Sequence, residues 1–366
     1  MSLFRAALDG LVPYEPGKPE EELQRELGLE RVVKLASNEG PWGPLPAALE
    51  AMERNARALN RYPDGGAFHL RRALAERHEV DPANVATGAG ADAIIGHLSV
   101  ATLDPGDEVV TAWPSFISYA LDALKLGAVP RKVPLLDDHY DLDALLDAIG
   151  PRTKLVYIAT PNNPTGTMTT RSQLDAYFER VPEHVLTVLD QAYFEYIDRP
   201  DYPDGVAEYA KAGRRVLVLR TFSKIYGLAG LRVGYGVGPA DVIEAIGKTR
   251  RAFDVNTQAQ VAALASIDGQ EELAQRRRLT HEGREELERT LREHGLETAG
   301  LAVANFLFTE VGDEALPLFE ALLRQGAIVR PMGGFGAPGA LRITVGTPDE
   351  NAFFAEALAS VRAATT

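Results

Sequence analysis

Along the chain, short runs of consecutive apolar, often β-branched residues alternate with longer stretches whose apolar positions recur every three or four residues. The runs at 85–87, 108–112, 154–159, 185–189, 215–219 and 233–237 read as strands, with helical patterns between most of them. Runs of this kind carry no polar face, and their alternation with helices predicts a parallel sheet covered on both sides. Ahead of them lies an irregular, Pro/Gly-marked arm of about forty residues with one short acidic helix. Apolar spacing at Leu45, Ala48, Leu49 and Met52 predicts a helix over 45–58, R-Y-P-D-G-G from Arg61 a turn, and 68–78 a further helix. Past Pro239 the pattern turns helical, and 257–294 reads as one or two long, strongly charged helices. The tail alternates again: a strand in A-N-F-L-F-T-E-V, a helix over 314–325, strands in A-I-V-R and A-L-R-I-T-V, and a closing helix over 349–363. That order suggests a small α+β domain after a larger α/β one.

Composition narrows what such a fold can be used for. The 366 residues, 45% hydrophobic and 25% charged, suffice for about two globular domains. With 52 acidic against 38 basic residues the net charge is -14, which argues against nucleic acid or an anionic membrane as partner. An anionic small molecule would have to meet a local cluster of arginines. The chain has no cysteine, so disulfides, thiolate metal sites and a cysteine nucleophile are excluded, and a reducing cytoplasm fits. Its seven histidines show neither H-x-H nor H-E-x-x-H spacing, so no metal site is expected. The opening M-S-L-F-R-A-A-L-D-G has too short an apolar run for a signal peptide, and no stretch is long enough to span a membrane. The expectation is a soluble cytoplasmic protein.

Candidate chemistry gathers at the carboxyl ends of successive predicted strands, where open α/β sheets bind ligands. R-T-F-S-K-I-Y-G-L-A-G-L-R-V-G-Y follows one strand and sets Lys224 beside Thr221, Ser223 and Arg232. A lysine so placed can be a nucleophile, while the hydroxyls and arginine hold an anion. T-P-N-N-P-T-G, stiffened by its prolines, presents Asn162 and Asn163 from a rigid turn, and D-Q-A-Y carries Asp190 and Tyr193. Taken alone, Asp190 reads equally well as a helix cap. G-A-G-A-D-A from Gly88 follows a strand and opens a helix, which matches a dinucleotide fingerprint, but Asp107 stands before the next strand rather than after it. The same backbone amides can cradle a single phosphate. I-G-K-T at Ile246 lacks the first glycine of a P-loop, and Arg276 to Arg278, flanked by glutamates on one helix, read as a solvated face. Lysine, buried carboxylate, neutral donors and a phosphate cradle together are the requirements of pyridoxal 5′-phosphate: a Schiff-base lysine, a carboxylate to keep the pyridine nitrogen protonated, and donors for the phenolate oxygen.

N-N-P-T-G, D-x-A-Y and T-F-S-K-x-Y-G-L-A-G-L-R-V-G-Y resemble the fold-type I, class-II pyridoxal-phosphate-dependent aminotransferases. P-Y-x-P-G-K-P, L-A-S-N-E, R-Y-P-D-G and L-R-I-T-V-G bring the resemblance closest to the histidinol-phosphate aminotransferase family, over nearly the whole chain. The resemblance implies an arm over 1–41 that joins the small domain, a large cofactor domain over 42–255 with a mostly parallel sheet, and a small carboxyl-terminal domain over 256–366. It implies Lys224 as cofactor lysine and proton-moving base, Asp190 at the pyridine nitrogen, and Asn163 and Tyr193 at the phenolate oxygen. Thr221, Ser223, Arg232 and the backbone of Gly90, Ala91 and Asp92 would take the phosphate, and Phe116 would stack on the ring. Tyr62 would reach the cofactor phosphate of a second subunit, which implies a homodimer with shared sites. Arg342 and Arg330 would face the anionic end of the substrates, with Tyr14 and Asn38 on the arm beside them. The implied reaction moves the amino group of histidinol phosphate to 2-oxoglutarate in histidine biosynthesis, by ping-pong kinetics. An aromatic amino-acid aminotransferase is the alternative within the fold, and a NAD-dependent dehydrogenase would have no use for Lys224, Asp190 and Asn163 together. The sequence departs from the family pattern at N-E-G-P-W-G-P, at G-A-G-A-D-A and at Gln191, where glutamate is common.

Overall fold

The computed structural model describes residues 3–9, 11 and 19–365. All six strand runs of the middle of the chain join one seven-stranded sheet: β2 (Val85–Gly88), β3 (Glu108–Trp113), β4 (Val129–Pro134), β5 (Thr153–Ala159), β6 (Leu186–Asp190), β7 (Val216–Thr221) and β8 (Gly234–Val237), in the order β2-β8-β7-β6-β5-β3-β4. From β4 across to β7 every pairing is parallel, and β8 runs antiparallel to both β7 and β2. Val216 to Leu219 are each 0% exposed, which is what a strand with helices on both faces requires of its sequence. The seventh strand, β4, has no apolar run to announce it. In V-P-R-K-V-P only Val133 is buried, and prolines and charged residues are tolerated because β4 is an edge strand.

The register of the central strands decides the chemistry. Ala159 pairs with Asp190 and Asp190 with Leu219, so β5, β6 and β7 end side by side on one edge of the sheet. The strand before G-A-G-A-D-A is the antiparallel edge strand β2, not the first strand of a parallel βαβ unit, so the dinucleotide reading lacks its fold context.

A second, three-stranded antiparallel sheet is built from β9 (Phe306–Glu310), β11 (Arg330–Pro331) and β12 (Ala340–Thr344), in the order β11-β12-β9. A-I-V-R, expected to be one strand, is divided at Val329. Its first half, β10 (Ala327–Ile328), pairs in parallel with β1 (Val33–Lys34) of the arm, and its second half joins the antiparallel sheet. The arm is thereby tied to the carboxyl-terminal part, and Val33 and Leu35 share its apolar core with Leu287, Leu318, Leu341 and Phe354.

The charged stretch 257–294 is two helices, Thr257–Ser266 and Gln270–Glu293, interrupted around Gly269, where any side chain would run into Leu45. The core of the large sheet continues past residue 255 through Ala259, Ala262 and Ala263 to Leu273. Arg276 and Arg277 correct the expectation of a solvated face. Arg276 donates to the carbonyls of Ile225 and Gly43 at 2.8 Å each, and Arg277 to that of Glu195 at 2.7 Å. The glutamates of their own helix hide this in the sequence, because the acceptors come from other elements. Only Arg278 of the three stands exposed. Among the described residues no helix is long and apolar enough to cross a membrane.

Candidate active site

A cavity of about 580 Å³ opens over the ends of β5, β6 and β7 and is roofed by the small sheet and the arm. Its lining takes in every site residue that the resemblance implies except Tyr62 and Tyr14, while Asn162 is buried behind it, its Oδ1 accepting from the Ser115 hydroxyl at 2.9 Å. Tyr14 lies outside the described residues. Tyr62 is 82% exposed and stacks on Phe253 with ring centroids 4.6 Å apart, away from this cavity.

Asp190 ends β6 and is buried. One carboxylate oxygen accepts from the Tyr119 hydroxyl at 2.7 Å and the other from the Ala192 N–H at 3.0 Å. Burial raises its pKa above the ordinary carboxylate value, against these two hydrogen bonds, which lower it. Lys224, three residues past β7, donates from Nζ to the Asn38 carbonyl at 3.0 Å. Burial first, and then the Arg342 cation, depress its pKa to about 8, so at neutral pH an appreciable fraction of the amine is free. Tyr193 accepts from Asn38 Nδ2 at 3.0 Å, and Asn163 Oδ1 accepts from Arg342 Nη1. Both are thereby left as donors, Tyr193 through its own hydroxyl hydrogen and Asn163 through its amide hydrogens. Burial pushes the Tyr193 pKa up to about 12.

One end of the cavity is made by the start of the helix Ala91–Thr102 and by the loop around Arg232. The N-terminal cap, Gly90, has φ +86° and supplies no side-chain cap, while its own N–H turns onto the Gly88 carbonyl at 2.7 Å. Ala91 and Asp92, the first helical residues, present N–H groups with no intrahelical acceptor. A Cβ at Gly90 would lie 2.7 Å from Arg232 Nη2, and one at Gly234 would lie 2.4 Å from the Ala91 nitrogen. Glycine at both positions is what lets loop, strand and guanidinium converge. Ser223 Oγ lies 3.5 Å from Arg232 Nη1, and the Thr221 hydroxyl accepts from the Ser223 N–H at 3.0 Å.

Two arginines stand in the roof. Arg330 and Arg342 are cross-strand partners on β11 and β12, and their guanidinium carbons lie 5.7 and 5.9 Å from the centre of the Phe335 ring. Arg342 also donates to the Ala36 carbonyl at 2.7 Å. Asn38, buried with φ +54°, is held by Thr344 of β12, which accepts from its N–H and donates to its Oδ1. One residue of the arm therefore touches Lys224, Tyr193 and the small sheet.

The donor set suits the pyridoxal phosphate that the resemblance implies. An uncapped helix start with an arginine takes a phosphate, a buried carboxylate takes a protonated ring nitrogen, two neutral donors take a phenolate oxygen, and a partly neutral lysine takes a carbonyl carbon. Phe116, at the cap of the helix Ile117–Leu126, lines the same cavity. Tyr119 and Phe335 are the site residues that sequence reasoning missed. Tyr119 lies one helical turn from Phe116, an i,i+3 spacing that was open to inspection. Phe335 carried no local signal.

Comparison with known proteins bears on this geometry. The family model for aminotransferase class I and II matches residues 30–358. Histidinol-phosphate aminotransferase 2 of Carboxydothermus hydrogenoformans is 43% identical over 98% of this chain and 99% of its own length. Histidinol-phosphate aminotransferase 2 of Pseudomonas fluorescens Pf-5 is 44% identical over 99% and 98%. The crystal structure of histidinol-phosphate aminotransferase from Sinorhizobium meliloti in complex with pyridoxal 5′-phosphate superposes with a TM-score of 0.91 at 29% identity, covering 100% of this chain and 99% of that one.

Proposed function

The chain belongs to the class I and II aminotransferases, and from that premise we propose that it transfers the amino group of histidinol phosphate to 2-oxoglutarate, with pyridoxal 5′-phosphate as cofactor. The products are imidazole acetol phosphate and glutamate, a step of histidine biosynthesis. The observation that carries this reading is the pairing of Arg330 with Arg342 over a cavity whose floor holds Lys224 and Asp190. Two guanidinium groups in register suit a phosphate ester, and the same pair can hold a carboxylate of 2-oxoglutarate in the second half of the reaction. In a protein of net charge -14, such local, bidentate contacts must supply the attraction that the overall field opposes.

When bound, the cofactor supplies an electron sink for the carbon that loses its proton. Lys224 Nζ would hold the cofactor and would serve as the base at the amine-bearing carbon, a task that its lowered pKa suits. Asp190 would keep a proton on the ring nitrogen by charge pairing, and Tyr119 fixes its carboxylate. Asn163 and Tyr193 would donate to the phenolate oxygen. Thr221, Ser223, Arg232 and the N–H groups of Ala91 and Asp92 would hold the phosphate, and Phe116 would cover the ring. Asn38 orients Lys224 and Tyr193 from the arm. A homodimer belongs to the same proposal: Tyr62, exposed on its Phe253 platform, reaches the phosphate of the second subunit.

An amino-donor panel with 2-oxoglutarate as acceptor tests the substrate. Histidinol phosphate should give the highest kcat/KM, and faster turnover of phenylalanine would overturn it in favour of an aromatic amino-acid aminotransferase.

A further inference from the structure

The phosphate cradle has two halves that are far apart in sequence, the turn Gly88 to Ala91 and the loop that ends in Arg232. Each half is a short turn of its own, with the Gly90 N–H on the Gly88 carbonyl in one and the Leu231 N–H on the Leu228 carbonyl in the other. Gly90 and Arg232 both have positive φ, at +86° and +57°, and the helix after Gly90 has no side-chain cap. A seven-residue connection at 250–256 reaches both halves from behind. Asp254 Oδ2 accepts from the Ala89 N–H at 3.0 Å, and Asn256 Nδ2 donates to the Leu231 carbonyl, the residue before Arg232, at 2.9 Å. The Asp254 side chain is 7% exposed, and His97 Nε2 lies 3.5 Å from the same oxygen.

A carboxylate is a puzzling choice at this place. Its hydrogen bond orders the turn, yet its negative charge lies one residue from the backbone that would receive a phosphate dianion, in surroundings where charges are weakly screened. An amide oxygen would order the turn without that repulsion. We propose that Asp254 is a positioning residue for the cofactor phosphate, holding the Gly88 to Ala91 turn open through the Ala89 N–H, and that it acts through this hydrogen bond and not through its charge. The inference rests on the reading that the cavity takes pyridoxal 5′-phosphate.

Two ligands that differ only in the phosphate separate this role from general support of the fold. Dissociation constants of pyridoxal 5′-phosphate and of pyridoxal are measured by equilibrium dialysis with the apo forms of the wild type, Asp254→Ala and Asp254→Asn. Removing the acceptor in Asp254→Ala should weaken pyridoxal 5′-phosphate by about tenfold or more, as for hydrogen bonds to charged groups, and change pyridoxal by less than about twofold. Asp254→Asn, which keeps an acceptor oxygen and drops the charge, should bind pyridoxal 5′-phosphate at least as tightly as the wild type. Should the alanine variant not fold, Asp254→Ser, too short to reach Ala89, takes its place with the same expectation. Equal losses for both ligands, no loss for either, or an asparagine variant as weak as the alanine one would each overturn the inference. A wild-type protein that binds neither ligand would instead overturn the cofactor reading on which it stands.

Discussion

The floor and the roof of the cavity hold their charged groups by different physics. Asp190 and Lys224 are set by β6 and β7, whose residues are buried throughout and whose register leaves no freedom to slide. Arg330 and Arg342 are set by a three-stranded sheet in which β11 contributes only two residues, and Arg342 is held further by the Asn163 side chain and an arm carbonyl. The floor groups are forced into costly states: burial raises the pKa of Asp190 and lowers that of Lys224. The proposed reaction divides along the same line, assigning to the floor the chemistry common to any amino donor and to the roof the choice among donors.

That division can be broken most directly at Lys224. Lys224→Ala should lose on the order of 10⁴-fold or more in turnover with every donor, since nucleophile and base go together. The protein should still bind pyridoxal phosphate, and borohydride should fix the cofactor to the Lys224 peptide in the wild type alone. A residual rate that differs among donors would show the floor taking part in selection. Asp190→Asn should cost on the order of 10²–10³-fold in kcat, again uniformly, with circular dichroism unchanged. Near-normal turnover would return Asp190 to the role of a cap for Ala192.

The roof should answer in KM and in selectivity. Arg342→Ala should raise the KM of both histidinol phosphate and 2-oxoglutarate by about 10- to 100-fold, because the two half-reactions share one anion site. Its contact with Asn163 predicts a smaller fall in kcat as well, and an untouched kcat would make the two regions fully separable. Arg330→Ala should raise the KM of histidinol phosphate by about tenfold and affect glutamate or phenylalanine less, since a phosphate dianion has more charge to satisfy. Equal losses across the three donors would remove Arg330 from the phosphate end.

The smallest expected effect concerns stability. A lysine whose folded pKa is about 8 against an ordinary 10.5 costs stability while it is charged. That cost is full below about pH 8 and fades as the pH rises toward 10.5, because over that window only the unfolded chain holds the proton. The Tm gain of apo Lys224→Met over the wild type should therefore be a few degrees at pH 7 and shrink by pH 10. A gain independent of pH would assign it to packing.

Much of this was legible before any coordinates. Unbroken apolar runs are demanded by strands covered on both faces, and the loops that follow them can hold proline, glycine and reactive side chains only because strand ends tolerate them, so both wrote themselves into the sequence. The residues at the ends of β5, β6 and β7 and the helix start at Gly90 were found that way, whereas the two arginines of the tail came from the family resemblance. Features were hidden wherever the partner lay far along the chain. β4 shows one buried residue in six, A-I-V-R serves two sheets, and Arg276 and Arg277 find carbonyls on other elements. Local pattern by itself determined six of the seven strands of the large sheet and the reactive residue types at their ends, because burial periodicity and turn stereochemistry are properties of neighbouring residues. Which strands lie side by side, that Asn38 touches Lys224, and that Asp254 stands behind Ala89 were decided only by the tertiary structure, because a hydrogen bond between residues more than a hundred positions apart leaves no periodic trace in either segment.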